Sequence, residues 1–233
     1  YAANFAASSA SATSTFAGGL AVETSGLVYD YSTNNVGIGL ANPAYKLEVQ
    51  GSASTTNLYM PAASTTVGVI YSGTNRFIHN FGTSNFFAGV NAGNLTTTGT
   101  GSNTGVGAQA LLANTTGYHN SAFGLQALVD NITGAQNVAI GGYSLQDNTS
   151  GTSNVGLGYL SLFFNRTGDK NTVIGAGAGS GASGNSFSNN TLLGYLSGYS
   201  LTTGSNNTLL GFQSGDALTS GSNNILIGYD IDA

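Results

Sequence analysis

From Asn85 to Gly228 the chain repeats one arrangement of polar and apolar positions on a long period. Each unit is Asn, two variable residues, a mostly aliphatic residue, then Gly: NFFAG, NTGVG, NSAFG, NVAIG, NVGLG, NTVIG, NTLLG, NTLLG and NILIG. The asparagines are Asn85, Asn103, Asn120, Asn137, Asn154, Asn171, Asn190, Asn207 and Asn224. The anchor glycines are Gly89, Gly107, Gly124, Gly141, Gly158, Gly175, Gly194, Gly211 and Gly228, spaced 18, 17, 17, 17, 17, 19, 17 and 17 residues apart. A fixed period of this size is the signature of a solenoid whose repeats stack coil upon coil.

The unit is too short and too rich in glycine for a pair of helices, since Gly costs about 1 kcal/mol relative to Ala inside a helix. Two short strands and two tight turns fit the 17-residue count. A second glycine follows ten residues after the anchor at Gly99, Gly117, Gly134, Gly151, Gly168, Gly204 and Gly221. Each glycine is expected at a corner that needs positive φ or close backbone approach. The expected fold is therefore all-β: a parallel β-solenoid, or β-roll, of about nine 17-residue coils. An irregular β region over 18–84 precedes it, and 1–17 forms an extended segment.

Stacking places equivalent residues about 4.8 Å apart, so the nine asparagines are expected to form a continuous amide ladder. The aliphatic residue before each anchor glycine, from Ala88 and Val106 to Ile227, is expected to point inward. Small residues three after the anchor, such as Ala110 and Ser144, would face it across a thin core.

Upstream, Asn35-Val-Gly-Ile-Gly39 is a tenth copy of the motif, and Tyr45–Gln50 alternates as a half-buried strand. Leu58–Pro61, Val67–Tyr71 and Arg76–His79 read as further strands. The units NTVIGAGAG, NTLLGYLSG and NVAIGGYSL resemble the head repeats of trimeric autotransporter adhesins. The stretches Asn34–Ser52 and Gly68–Gly93 resemble phage tail-fibre and bacterial surface-fibre proteins. The resemblance covers roughly residues 26–233, with repeats slightly longer than the adhesin-head unit. It implies a left-handed β-roll and an extracellular fibrous protein, often trimeric, used in attachment.

Charged residues make up 6% of the chain, against about a quarter in an average domain, and the net charge is −5. Four cations leave no basic patch, so nucleic acid is not an expected partner. No apolar run reaches 18 residues, so no membrane-inserted helix is expected. The absence of cysteine neither demands nor excludes an oxidising compartment, and Tyr1 in place of Met suggests a processed or truncated start. With 12 Tyr, 11 Phe and a strict period, the chain reads as ordered.

Candidate chemistry is sparse. His79 and His119 are 40 residues apart without paired carboxylates nearby, and read as surface or packed histidines. Asp130 and Asp147, one period apart, read as solvated loop residues before they read as a cation site. Gly177, Gly179 and Ala182 match a dinucleotide-loop spacing, but the expected context supplies no helix. The 19-residue unit is expected to hold its two extra residues in an outward loop near Gly179–Ser188. Sequons at Asn94, Asn114 and Asn131 follow from turn composition, and the Thr pairs lack the alternation of an ice-binding array. No enzyme activity, cofactor or metal is expected.

The expected function is a secreted structural protein that self-assembles head-to-tail into an extracellular filament. Low charge, an apolar last coil at Asn224–Gly228 and a coreless N-terminal strand carrying Tyr1, Phe5 and Phe16 support this expectation. The alternative is a trimeric phage or cell-surface fibre module that binds glycans or a host surface. The expected partners are copies of the chain, with surface glycans as a further class.

Overall fold

The structure is a computed structural model that describes residues 21–22, 27–30, 32–40, 42–50, 69–96, 98 and 101–232. Tyr1, Phe5, Phe16 and the strand expected at Leu58–Pro61 lie outside the described residues. Among those described, the chain is all-β and contains no helix. It divides into two units, 1–59 and 60–233.

The first unit holds a four-stranded sheet of β1 (Ala21–Val22), β2 (Leu27–Asp30), β3 (Asn35–Ile38) and β4 (Leu47–Val49), in that order. The first three pair antiparallel, whereas β3 and β4 pair parallel. The tenth motif copy lies here on β3, and Asn35 is buried with its Nδ2 donating to the Pro43 carbonyl at 2.9 Å.

The second unit is a parallel β-solenoid, introduced by a hairpin of β5 (Ile70–Ser72) and β6 (Asn75–His79). β6 runs antiparallel to β7 (Phe86–Ala88), the first coil strand. There follow β8 (Thr104–Val106), β9 (Ser121–Phe123), β10 (Val138–Ile140), β11 (Val155–Leu157), β12 (Thr172–Ile174), β13 (Thr191–Leu193), β14 (Thr208–Leu210) and β15 (Ile225–Ile227). From β7 onward every pairing is parallel, and its register joins equivalent residues of successive repeats.

Two expectations are corrected. The residue before the anchor glycine does not point inward: Phe123, Ile140, Leu157, Leu193 and Leu210 are each 39–43% exposed. Strand side chains alternate between faces, so the inward row is the residue one earlier. That row is Phe87, Gly105, Ala122, Ala139, Gly156, Val173, Leu192, Leu209 and Leu226.

The second correction is that each coil has one strand and not two. A turn-rich arc closes the coil in place of the second strand. In that arc two residues, two positions apart, take left-handed backbone, as at Gln126 and Leu128 (φ 54° each) or Tyr143 and Leu145 (φ 59° and 52°). Arc N–H groups then bond to both neighbouring coils: Gln126 to the Ala108 carbonyl at 2.9 Å, Leu128 to Ser144 at 3.1 Å. Buried main-chain groups are satisfied without a second sheet.

The anchor glycines are required on two counts. Gly158 has φ 138°, and a Cβ there would meet the Gly175 carbonyl carbon at 2.6 Å. The second glycines differ, for Gly151 has no positive φ. A Cβ on it would collide with Asn148 Oδ1 and the Gly168 carbonyl.

Candidate functional site

The features that repeat down the solenoid are columns of like side chains, and four of them bear on function. The first is the asparagine ladder. Asn103, Asn120, Asn137, Asn154 and Asn171 are wholly buried, and Asn85, Asn190 and Asn207 nearly so. In all eight steps the backbone N–H of one asparagine donates to Oδ1 of the asparagine one coil earlier, at 2.9–3.0 Å. In most steps the side-chain Nδ2 donates to that oxygen as well, for example Asn171 to Asn154 at 2.9 Å. Nδ2 also donates across the coil to the carbonyl of the second glycine, as from Asn154 to Gly168 at 2.8 Å. Each amide therefore ties two coils together and closes its own.

The second column was not singled out in the sequence. Asn114, Asn131, Asn148 and Asn165 lie seven residues after their anchors and are wholly buried. Asn131 Nδ2 donates to Asn114 Oδ1 at 2.9 Å, and Asn148 Nδ2 to Asn131 Oδ1 at 2.7 Å. Its 17-residue recurrence was the available signal. Two of these are the sequon asparagines Asn114 and Asn131, whose burial leaves no room for a glycan.

The third is the exposed row before the anchor glycines, joined on the same sheet face by Thr104, Ser121, Val138, Val155, Thr172, Thr191, Thr208 and Ile225. Neither row contains a charged residue. Nine strands at about 4.8 Å and three residues at about 3.3 Å make a strip on the order of 400 Å².

The fourth column follows the anchors and is aromatic toward the C-terminal end. The rings of Tyr195 and Phe212 stack at 5.3 Å and 20°, and those of Phe212 and Tyr229 at 5.1 Å and 6°.

The ionisable candidates do not converge. Buried His79 bonds through Nε2 to the Ala92 carbonyl at 2.8 Å and accepts from the Phe81 N–H at Nδ1. Both contacts fit a neutral ring protonated at Nε2. Burial lowers its pKa, partly opposed by the Ala92 carbonyl and reinforced by Arg76. His119 is exposed beside Tyr118. Asp130 and Asp147 share a cleft of about 340 Å³ with Arg166. Burial first, and Asp130 second, raise the Asp147 pKa, while Arg166 opposes the shift. No group of three or more metal-ligating side chains occurs among the described residues.

Gly177 and Gly179 lie in the arc with φ 67° and 54°, and no helix follows them. Thr115, Thr149 and Thr202 donate their hydroxyls to carbonyls of the next coil. In the 19-residue unit Ala182, Ser183 and Gly184 are exposed, as expected of a loop. Asn185 and Phe187 return into the core, however, and the Phe187 carbonyl accepts Asn171 Nδ2 where other coils offer glycine. No helix among the described residues is long and apolar enough to cross a membrane. Compared with known proteins, the chain matches no family model, no curated protein and no solved structure.

Proposed function

We propose that this chain is a structural fibre protein whose solenoids associate side by side, sheet face against sheet face, with copies of itself. The observation that carries this reading is the uncharged strip along β7–β15, in which an aliphatic or aromatic row runs beside a row rich in Thr. A contiguous exposed patch of this size is about the largest that a typical soluble monomer carries, and such patches are often interaction surfaces. The strip is also periodic: every coil presents one aliphatic or aromatic residue, about 4.8 Å from the next. A second copy has the same period and meets it in register at every coil, which an unrelated partner does not. The resemblance to surface fibres implies a closed bundle of three chains outside the cell. Head-to-tail joining, in contrast, depends on residues 1–17, which lie outside the described residues.

Sedimentation of the purified chain tests the reading. The expected result is a stable oligomer, converted to folded monomers by Ile140→Glu together with Leu157→Glu. A wild-type chain that remains monomeric at tens of micromolar (association weaker than about −6 kcal/mol) overturns it.

A further inference from the structure

The aromatic column has a missing rung. Tyr159 precedes Tyr195 by two coils, and the coil between them carries Ala176 at that position. The same coil is stripped at a second column: Ser180 stands between Phe163 and Tyr199. The result is a cleft of about 280 Å³ lined by Tyr159, Ala176, Gly177, Ser180, Tyr195 and Tyr199, among others. Two coil steps separate the flanking tyrosines by about 9.6 Å. A single flat ring placed midway lies about 4.8 Å from each. The intact part of the column has nearly that spacing, with centroids 5.1–5.3 Å apart.

We propose that this cleft binds one ring of a neutral sugar. Three features select the ligand. No charged side chain lines the cleft, so the ligand is uncharged. Its volume lies just below the ~300–1,000 Å³ of pockets for drug-sized molecules, which suits one ring. The Ser180 hydroxyl is the most specific feature. The residue is only 6% exposed and lines the cleft, yet its Oγ makes no hydrogen bond with the described residues. The hydroxyls of Tyr159, Tyr195 and Tyr199 likewise make none. These hydroxyls have no protein partner and stay open to the cleft, so a ligand that brings its own donors and acceptors can pair with them. A pyranose does so around its rim while laying its C–H face on a tyrosine ring. An aromatic side chain from another protein would fill the gap but leave Ser180 unpaired.

Saturation-transfer NMR on the full chain tests the site, with D-glucose, D-galactose, D-mannose and N-acetylglucosamine as probes. At least one is expected to bind with a Kd in the millimolar range. Ala176→Tyr restores the rung and is expected to weaken binding at least tenfold, with the melting temperature unchanged. Ser180→Ala is expected to weaken it severalfold. Should Ala176→Tyr not fold, Tyr195→Ala serves as the second variant and is expected to weaken binding as strongly. No transfer to any sugar at ~50 mM overturns the proposal, as does binding that these variants leave unaltered. Binding of p-cresol without any sugar also overturns it, in favour of an aromatic side chain. The site does not depend on lateral association, and sedimentation of the same samples reads that separately.

Discussion

The coils on either side of Asn171 fill the same core from opposite walls. Between Asn103 and Asn165 the inward strand residue is small: Gly105, Ala122, Ala139 and Gly156. The bulk comes from the arc, where Leu111, Leu128, Leu145 and Leu162 are wholly buried. From Asn171 onward the strand supplies Val173, Leu192, Leu209 and Leu226, and the arc position becomes Gly179, Gly198 and Gly215. The first coil already uses this second arrangement, with Phe87 on the strand and Gly93 in the arc. Core volume per coil is held nearly constant while its source switches. The two solutions do not cost the same. The arc leucines have φ of 52–56°, a left-handed conformation that costs an L-residue roughly 1–2 kcal/mol. Gly179, Gly198 and Gly215 occupy the same region (φ 54–64°) without that strain.

The sharpest way to break this comparison is to convert one coil from the first solution to the second. Ala139→Leu alone overfills a coil that already holds Leu145, and is expected to destabilise by about 1–3 kcal/mol. Leu145→Gly alone empties the coil, at about 2–5 kcal/mol less the strain it relieves. The double variant reproduces the Leu209–Gly215 pairing and is expected to recover most of both losses. Chemical denaturation of the four proteins measures the coupling. Additive losses would mean that the walls are not exchanging volume.

The amide ladder runs through both blocks, so its disruption tests what they share. Asn154→Ala leaves the buried Asn171 N–H without its acceptor and removes the bond to the Gly168 carbonyl. The Gly168 carbonyl keeps Asn165 Nδ2 at 3.3 Å, so the chief cost is the orphaned N–H and the cavity. A loss of about 2–4 kcal/mol is expected in denaturant melts. Asn207→Ala in the second block breaks the equivalent bond to Asn224 and is expected to cost less, because Asn224 is only part-buried.

The period, the parallel stacking, the buried asparagines and the glycine corners were all legible in the sequence, because each leaves a residue type that nothing else replaces. The facing of the strands was not. A three-residue strand gives alternation too little length, and in NVAIG the Ile looks like core while Ala139 looks like filler. The contrary signal lay eight residues after the ladder asparagine, in arc leucines whose left-handed backbone no propensity would assign to them. The residue before each ladder asparagine is likewise left-handed, as at Ser102, His119, Gln136 and Lys170, with no glycine to announce it. The sugar cleft was hidden for a different reason: it is an absence, visible only when Ala176 and Ser180 are set between the coils that flank them. The row before the anchor glycines has the composition of core, and its exposure, on which lateral association rests, shows only in the structure.

The smallest expected effect separates the blocks by charge. Asp147 belongs to the first block and lies in a cleft with Asp130 and Arg166. Burial and the neighbouring Asp130 raise its pKa above the ordinary 3.8. A raised carboxyl pKa means the folded state binds the proton more tightly than the unfolded state does. Ionised Asp147 therefore detracts from stability at neutral pH, and the deficit shrinks as pH falls through the folded pKa toward 3.8. Asp147→Asn is expected to melt slightly above wild type at pH 7, with the difference narrowing by pH 4. His79 acts in the opposite sense: its lowered pKa costs stability as pH falls below about 6.5. Comparing the variant with wild type at each pH cancels the histidine, which both proteins carry. A variant that melts below wild type at pH 7 would show that the Arg166 attraction outweighs burial and the Asp130 repulsion, and that the cleft stabilises the ionised carboxylate.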